Sequence, residues 1–258
     1  MNIKTTVLFI SLLTILWLAP EGLANSFDHS KFDQVLKQYV DEKGLVDYNG
    51  VAKDQEFSEY MQSLQGARVE ELSPDGQLAF WINAYNAITI DKVIKKKPKE
   101  SVRETFLPGV WTSTKFFTTS EHIVAKQRLS PDDIQKEILF KKFQDPRIHF
   151  AIICASSGCP PLPRIAYTEA NVQSRLEEET RKYLNSPRGT RIDRAENTLY
   201  VSKLFDWYDD DFIQKSGSVV RFMRPYLNEE TLSFIDRNPK ISYLEYNWAL
   251  NAQAPLER

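Results

Sequence analysis

The stretch from Ser73 to Pro98 constrains this chain more than any other. Ser73 followed by Pro74 reads as a capping serine with proline at the first helical position. Pro98 cannot continue a helix, so the spacing predicts a helix over 73–97. Its middle, Leu78 to Ile94, is apolar on nearly every face. A helix that is hydrophobic all round has to lie inside the fold, so the rest of the chain must be arranged around it. The lysines at 95–97 and 99 are read as the solvated end of this helix, where cations also suit the dipole.

Around that helix the sequence alternates short helical and short extended signals. Apolar residues at helical spacing mark Phe27–Val40 and Asp54–Leu64. Ser130-Pro131 repeats the helix-start signal and opens Asp132–Phe140, and Thr168–Leu184 reads as a charged amphipathic helix. Phe116–Thr119 and His122–Ala125 read as one hairpin, and Thr190–Ser202 as a second around Ala195-Glu196-Asn197. Arg147–Cys154 is apolar and of strand length, which predicts an inner strand. Three short helical stretches follow, then a strand at Ile241–Tyr246. Without a regular βαβ rhythm, the expectation is a single compact α+β domain over residues 25–258, with a central buried helix and a small mixed sheet.

Residues 1–24 read as a cleavable signal peptide. Lys4 supplies the charged n-region and Thr5–Leu18 the uncharged apolar core. Gly22 and Ala24 are small residues at the cleavage spacing. The apolar core is too short for a bilayer-spanning helix. The expectation is therefore a periplasmic or secreted protein with no membrane span after cleavage. A net charge of −2 offers no basic excess, which argues against nucleic acid as a partner.

Chemistry concentrates in Asp145–Pro161. An apolar segment delivers Cys154 to a small-residue loop that Cys159 closes. In an exported chain these two cysteines admit three readings: a structural disulfide or inert thiols, a redox-labile pair, or a catalytic thiol. Two thiols are too few for a structural zinc site, and no cofactor is expected. His149 is either a hydrogen-bonded core histidine or the base for a thiol. On a regular strand, five positions would put His149 and Cys154 on opposite faces, roughly 16 Å apart. Asn83 and Asn86 are amides on an otherwise apolar helix, so they either pin a neighbouring loop or line a site. Lys203 and Asp211 could reach a ligand pocket. Phe205, Tyr208 and Phe212 share a helical face and read as core. His29 and His122 are expected at the surface.

Val46-Asp47-Tyr48, Phe80–Ala87 (Phe-Trp-Ile-Asn-Ala-Tyr-Asn-Ala), Asp145–Pro161, Ser202–Phe212 and Tyr246–Asn251 together resemble the domain of unknown function 547 family. The order of these segments spans nearly all of residues 25–258. Where similar proteins tend to carry an acidic residue followed by histidine after Leu129-Ser130, this chain has Gln135 and Lys136. The resemblance implies a domain assignment and a set of site residues, without an activity. Two functions remain open. One is a non-catalytic domain that binds an unknown ligand or envelope protein, with its loop closed by the cysteines. The alternative is a thiol-dependent hydrolase or acyl transferase using Cys154 or Cys159, His149 and Asn83.

Overall fold

Helix α4, Pro74–Lys96, runs through the main core of the computed structural model, which describes residues 25–103 and 113–257. The predicted signal peptide lies outside the described residues. The α4 helix begins where predicted: the Ser73 hydroxyl accepts the Gly76 N–H at 3.1 Å, with Pro74 in the first turn. At the other end Lys97 adopts a left-handed conformation (φ 48°) just before Pro98. Residues from Leu78 to Ile90, together with Lys92 and Val93, are buried. That burial on all sides accounts for the absence of a polar face.

Before α4, the chain forms α1 (Ser30–Tyr39), the single turn α2 (Tyr48–Val51) and α3 (Gln55–Ser63). The Asp54 carboxylate caps α3 by accepting the Phe57 N–H at 2.8 Å. Phe32 of α1 stacks on Tyr60 of α3 with ring centroids 4.8 Å apart. His29 and His122, expected at the surface, are both buried. His29 Nδ1 lies 2.9 Å from the Tyr60 hydroxyl and His122 Nε2 lies 2.6 Å from Asp91. These partners, 31 positions away in each case, replace the hydration that kept the two histidines outside in the sequence reading.

After α4, residues Ser113–Thr118 form helix α5, and the first hairpin is β1 (His122–Val124) with β2 (Gln127–Leu129). The predicted pairing of 116–119 with 122–125 is therefore displaced. The reversal falls at Ala125-Lys126, both at positive φ (48° and 63°), the backbone that a tight two-residue hairpin turn requires. Their N–H groups donate to the carbonyls of Leu64 and Gln65, at 2.8 Å each. Contacts from α3's end thus select a turn that the local sequence does not advertise.

The helix after Ser130-Pro131 is a π-helix, Asp133–Phe143. Its fully buried residues, Ile134 and Leu139, are five apart, the spacing of an i→i+5 ladder. The predicted inner strand at 147–154 is absent. Pro146–Phe150 is a 3-10 helix, opened by Asp145, whose carboxylate accepts the Arg147 N–H at 3.0 Å. An apolar run of this length does not by itself distinguish strand from buried turn. Here a capping aspartate followed by proline decides it.

The remainder matches expectation more closely. Helix α6 spans Val172–Leu184. Strands β3 (Thr190–Asp193) and β4 (Thr198–Val201) form an antiparallel hairpin. Strand β5 (Lys240–Tyr243) adds parallel to β4, completing a mixed three-stranded sheet. Between β4 and β5 come α7 (Leu204–Trp207), α8 (Asp209–Ser216), α9 (Val219–Met223) and α10 (Glu229–Ile235). These pack a second, aromatic-rich cluster that includes Phe150, Phe205, Phe212 and Phe222. The fold is α+β. No helix among the described residues is long and apolar enough to cross a membrane.

Candidate functional site

The two amides of α4 organise the ground on which the site is built. Asn83 donates to the Tyr167 carbonyl at 2.7 Å and accepts the Tyr167 N–H at 3.0 Å. Asn86 donates to the Ala151 carbonyl at 2.9 Å and accepts the Ile153 N–H at 3.0 Å. Each side chain therefore acts as a short piece of ladder, satisfying backbone groups that have no neighbouring strand. Three positions apart, the amides share one face of the helix. One holds the segment entering the cysteine loop and the other holds a segment after it.

Past Asn86's clamp the chain reaches Cys154, then Ala155 at φ 56°. Cys154 and Cys159 form a disulfide, their Cα atoms 6.2 Å apart. The loop between them docks on the segment 246–251. Ser157 N–H donates to the Ala249 carbonyl at 2.7 Å and Gly158 N–H to the Asn247 carbonyl at 2.8 Å. A Cβ on Gly158 would fall 2.9 Å from backbone atoms of Asn247, so only glycine permits this approach.

Docking brings Tyr246 over the sulfurs. Its hydroxyl lies 3.0 Å from Cys154 Sγ and 3.2 Å from Cys159 Sγ. Ser156 Oγ is 3.0 Å from Cys154 Sγ and donates to the Tyr246 hydroxyl at 3.2 Å. That leaves the tyrosine proton directed at sulfur. The Cys154 N–H donates to Cys159 Sγ at 2.9 Å. Burial pushes the Tyr246 phenol up, with Ser156 opposing, so the phenol keeps its proton. Cys154 is half-buried and Cys159 is buried.

Both cysteines face a cleft of about 540 Å³. Its walls are aromatic, from Tyr85, Phe117, Trp207, Tyr208, Tyr246 and Trp248. Trp207, Tyr246 and Trp248 touch one another, with centroids 4.5–5.6 Å apart. The π-helix adds Gln135 and Lys136, and Asp132 lies just ahead of it. Gln135 accepts from the Tyr85 hydroxyl at 3.4 Å and donates to the Tyr208 hydroxyl at 3.2 Å. Lys136 pairs with Asp132 at 2.6 Å, and that bond raises the lysine pKa. Gln135 and Lys136, singled out in the sequence, therefore both stand on the cleft wall.

His149 also lines the cleft, but its ring is spoken for. Nε2 lies 2.8 Å from Asp211, and the ring packs between Phe140 and Tyr208 at 4.2 and 4.3 Å. Burial lowers its pKa, with Asp211 opposing. The ring is then neutral near pH 7 with Nε2 as the donor. Asp211 opens onto a smaller cleft on the far side, beside Phe140 and Asp145. Lys203 pairs with Asp206 at 2.7 Å and sits over the Tyr243 ring.

Of the residues nominated from sequence, the cleft thus collects Cys154, Cys159 and His149. Asn83 and Asn86 support it from behind. Asp211 reaches it only through His149, and Lys203 is not among its lining residues. Sequence reasoning passed over Trp207, Tyr246 and Trp248 as site residues and placed Tyr208 in the core. Tyr246 and Trp248 carried one usable signal: side chains two apart on an extended segment share a face. Among the described residues, no group of three or more His, Cys, Asp or Glu side chains is placed to hold a metal ion.

No curated protein and no solved structure matches the chain. The family model described as "Protein of unknown function, DUF547" matches residues 69–184, the stretch that carries α4, the π-helix, both cysteines and α6.

Proposed function

We propose that this chain is an exported ligand-binding domain whose cleft takes a small molecule presenting a flat or apolar face. One observation carries the reading: the cleft of about 540 Å³ is walled by aromatic rings, three of them in mutual contact, over a loop closed by a disulfide. Apolar walls with a few directed polar groups are the usual form of a small-molecule site. Trp207, 41% exposed, offers its ring to the solvent side. Tyr85, Gln135 and Tyr208 form a hydrogen-bonded row that can orient a polar group on the same ligand. The thiol-hydrolase alternative has less support. Both sulfurs are joined to each other, so neither is a free nucleophile.

The test uses 1-anilinonaphthalene-8-sulfonate as the probe, added to native residues 25–258. Saturable binding at one site is expected, with tryptophan emission quenched as the dye brightens. Trp248→Ala should weaken it strongly while far-UV dichroism is unchanged. Absence of saturable binding to the native protein, or equal binding by the variant, would sink the reading.

A further inference from the structure

We infer that the Cys154–Cys159 disulfide is a thiol–disulfide exchange site for a low-molecular-weight thiol that enters the aromatic cleft. The observation is a convergence of donors on sulfur. The Cys154 N–H points at Cys159 Sγ at 2.9 Å, and the Tyr246 hydroxyl sits 3.0 and 3.2 Å from the two sulfurs, its proton left to them because Ser156 Oγ donates to its oxygen at 3.2 Å. Sulfur in a neutral disulfide is a weak acceptor, so a purely structural clasp gains little from such an arrangement. A thiolate gains much more, because donors held in place stabilise charge where it develops.

The same geometry assigns the two sulfurs different parts. Cys154 is half-buried and lines the cleft, so it is the sulfur an incoming thiolate meets. Cys159 is 3% exposed and receives the backbone N–H, so it is the leaving group. The incoming thiolate forms a bond to Cys154 Sγ. The Cys154–Cys159 bond breaks, and its electron pair departs on Cys159 Sγ, under the Cys154 N–H and the Tyr246 hydroxyl. A second thiolate then attacks the small molecule's sulfur in the mixed disulfide and expels Cys154 as thiolate. Both protein thiolates take protons from water. Two small thiols have become one disulfide, and the protein pair has gained two electrons. A low-molecular-weight disulfide restores the oxidised pair by the reverse exchange. Lowering the leaving thiol's pKa speeds the first step. His149 takes no part in these steps.

The inference needs the cleft to be open to small molecules but concerns sulfur chemistry alone, so the dye titration above can succeed while this fails. Native protein is exposed to reduced glutathione, quenched with acid, alkylated with N-ethylmaleimide and mapped by peptide mass. Glutathione on Cys154 together with alkylated Cys159 is the expected product. A disulfide that stays closed in native protein yet opens in urea would overturn the inference, as would glutathione found on Cys159. Tyr246→Phe keeps the ring and removes the donor, and should slow the first exchange about tenfold, the effect of losing one hydrogen bond to a charged group. An unchanged rate would also overturn it. If that variant does not fold, the mapping on the unaltered chain still decides which sulfur is attacked.

Discussion

Replacing Asn86 by leucine keeps a side chain of similar size on α4 and deletes both of its polar atoms. The Ala151 carbonyl and the Ile153 N–H then lose partners at 2.9 and 3.0 Å. Asn86, Ala151 and Ile153 are each 1% exposed, so water does not stand in. Leaving a buried backbone group without a partner costs about 1–3 kcal/mol. Two such groups, less what the leucine gains by burial, give a net loss of about 2–4 kcal/mol. That is a large share of the ~5–15 kcal/mol that holds a typical domain together. Asn86→Asp is the sharper variant. It keeps the acceptor for Ile153 but sets a carboxylate oxygen against the Ala151 carbonyl, so it should cost at least as much. Urea denaturation followed by circular dichroism reads the loss, and an unchanged slope shows that the same structure is unfolding. Both variants should also alter the glutathione reactivity of the disulfide, because the clamped residues lead directly into Cys154. If both substitutions cost less than about 1 kcal/mol, the clamp is not what holds the cysteine loop, and the reasoning fails.

Acid should weaken the fold before any carboxylate is protonated in bulk. Burial lowers the His29 pKa from 6.5 to about 4, so the unfolded chain binds the proton more readily. Stability is then full above about pH 6.5 and falls as pH drops toward 4, with about 2 kcal/mol gone by pH 5. His149, also lowered by burial, acts in the same direction. Urea midpoints at several pH values check this; His29→Gln should flatten the acid limb, and a midpoint that rises toward pH 5 would contradict it. For export, we expect the mature chain to begin at Asn25, and N-terminal sequencing of exported protein would reveal any other start.

What the sequence made legible follows the reach of each interaction. The α4 helix was readable because its cap, its proline and its all-round apolarity are all local. The hairpin at 190–201 was readable for the same reason, with Asn197 at φ 44° in the expected turn. The cysteine loop was recognisable as the chemical centre, but its neighbours were not. The hydroxyl over the sulfurs comes from a tyrosine 92 positions beyond Cys154. The apolar run before Cys154 looked like a strand because its local start signal, Asp145-Pro146, was passed over, and because the residues after the turn are held by Asn86, 65–67 positions upstream. Asn86 mimics a strand's hydrogen bonds with a side chain, which no periodicity records. The buried histidines failed on the same ground, since each has a hydrogen-bond partner on a distant element.

The docking of the cysteine loop on residues 246–251 also sets an order of assembly. The disulfide joins residues 5 apart and can close as soon as both have been made. Closing so short a loop costs little chain entropy. Tyr246 and Trp248 are synthesised some ninety residues later, and only then do the donors and the aromatic wall come together. An unfinished chain thus holds its sulfurs in an unshielded, unassisted loop. The chemistry proposed here arises only with the completed fold, which makes the reactivity of the sulfurs a reporter of whether the molecule has finished folding.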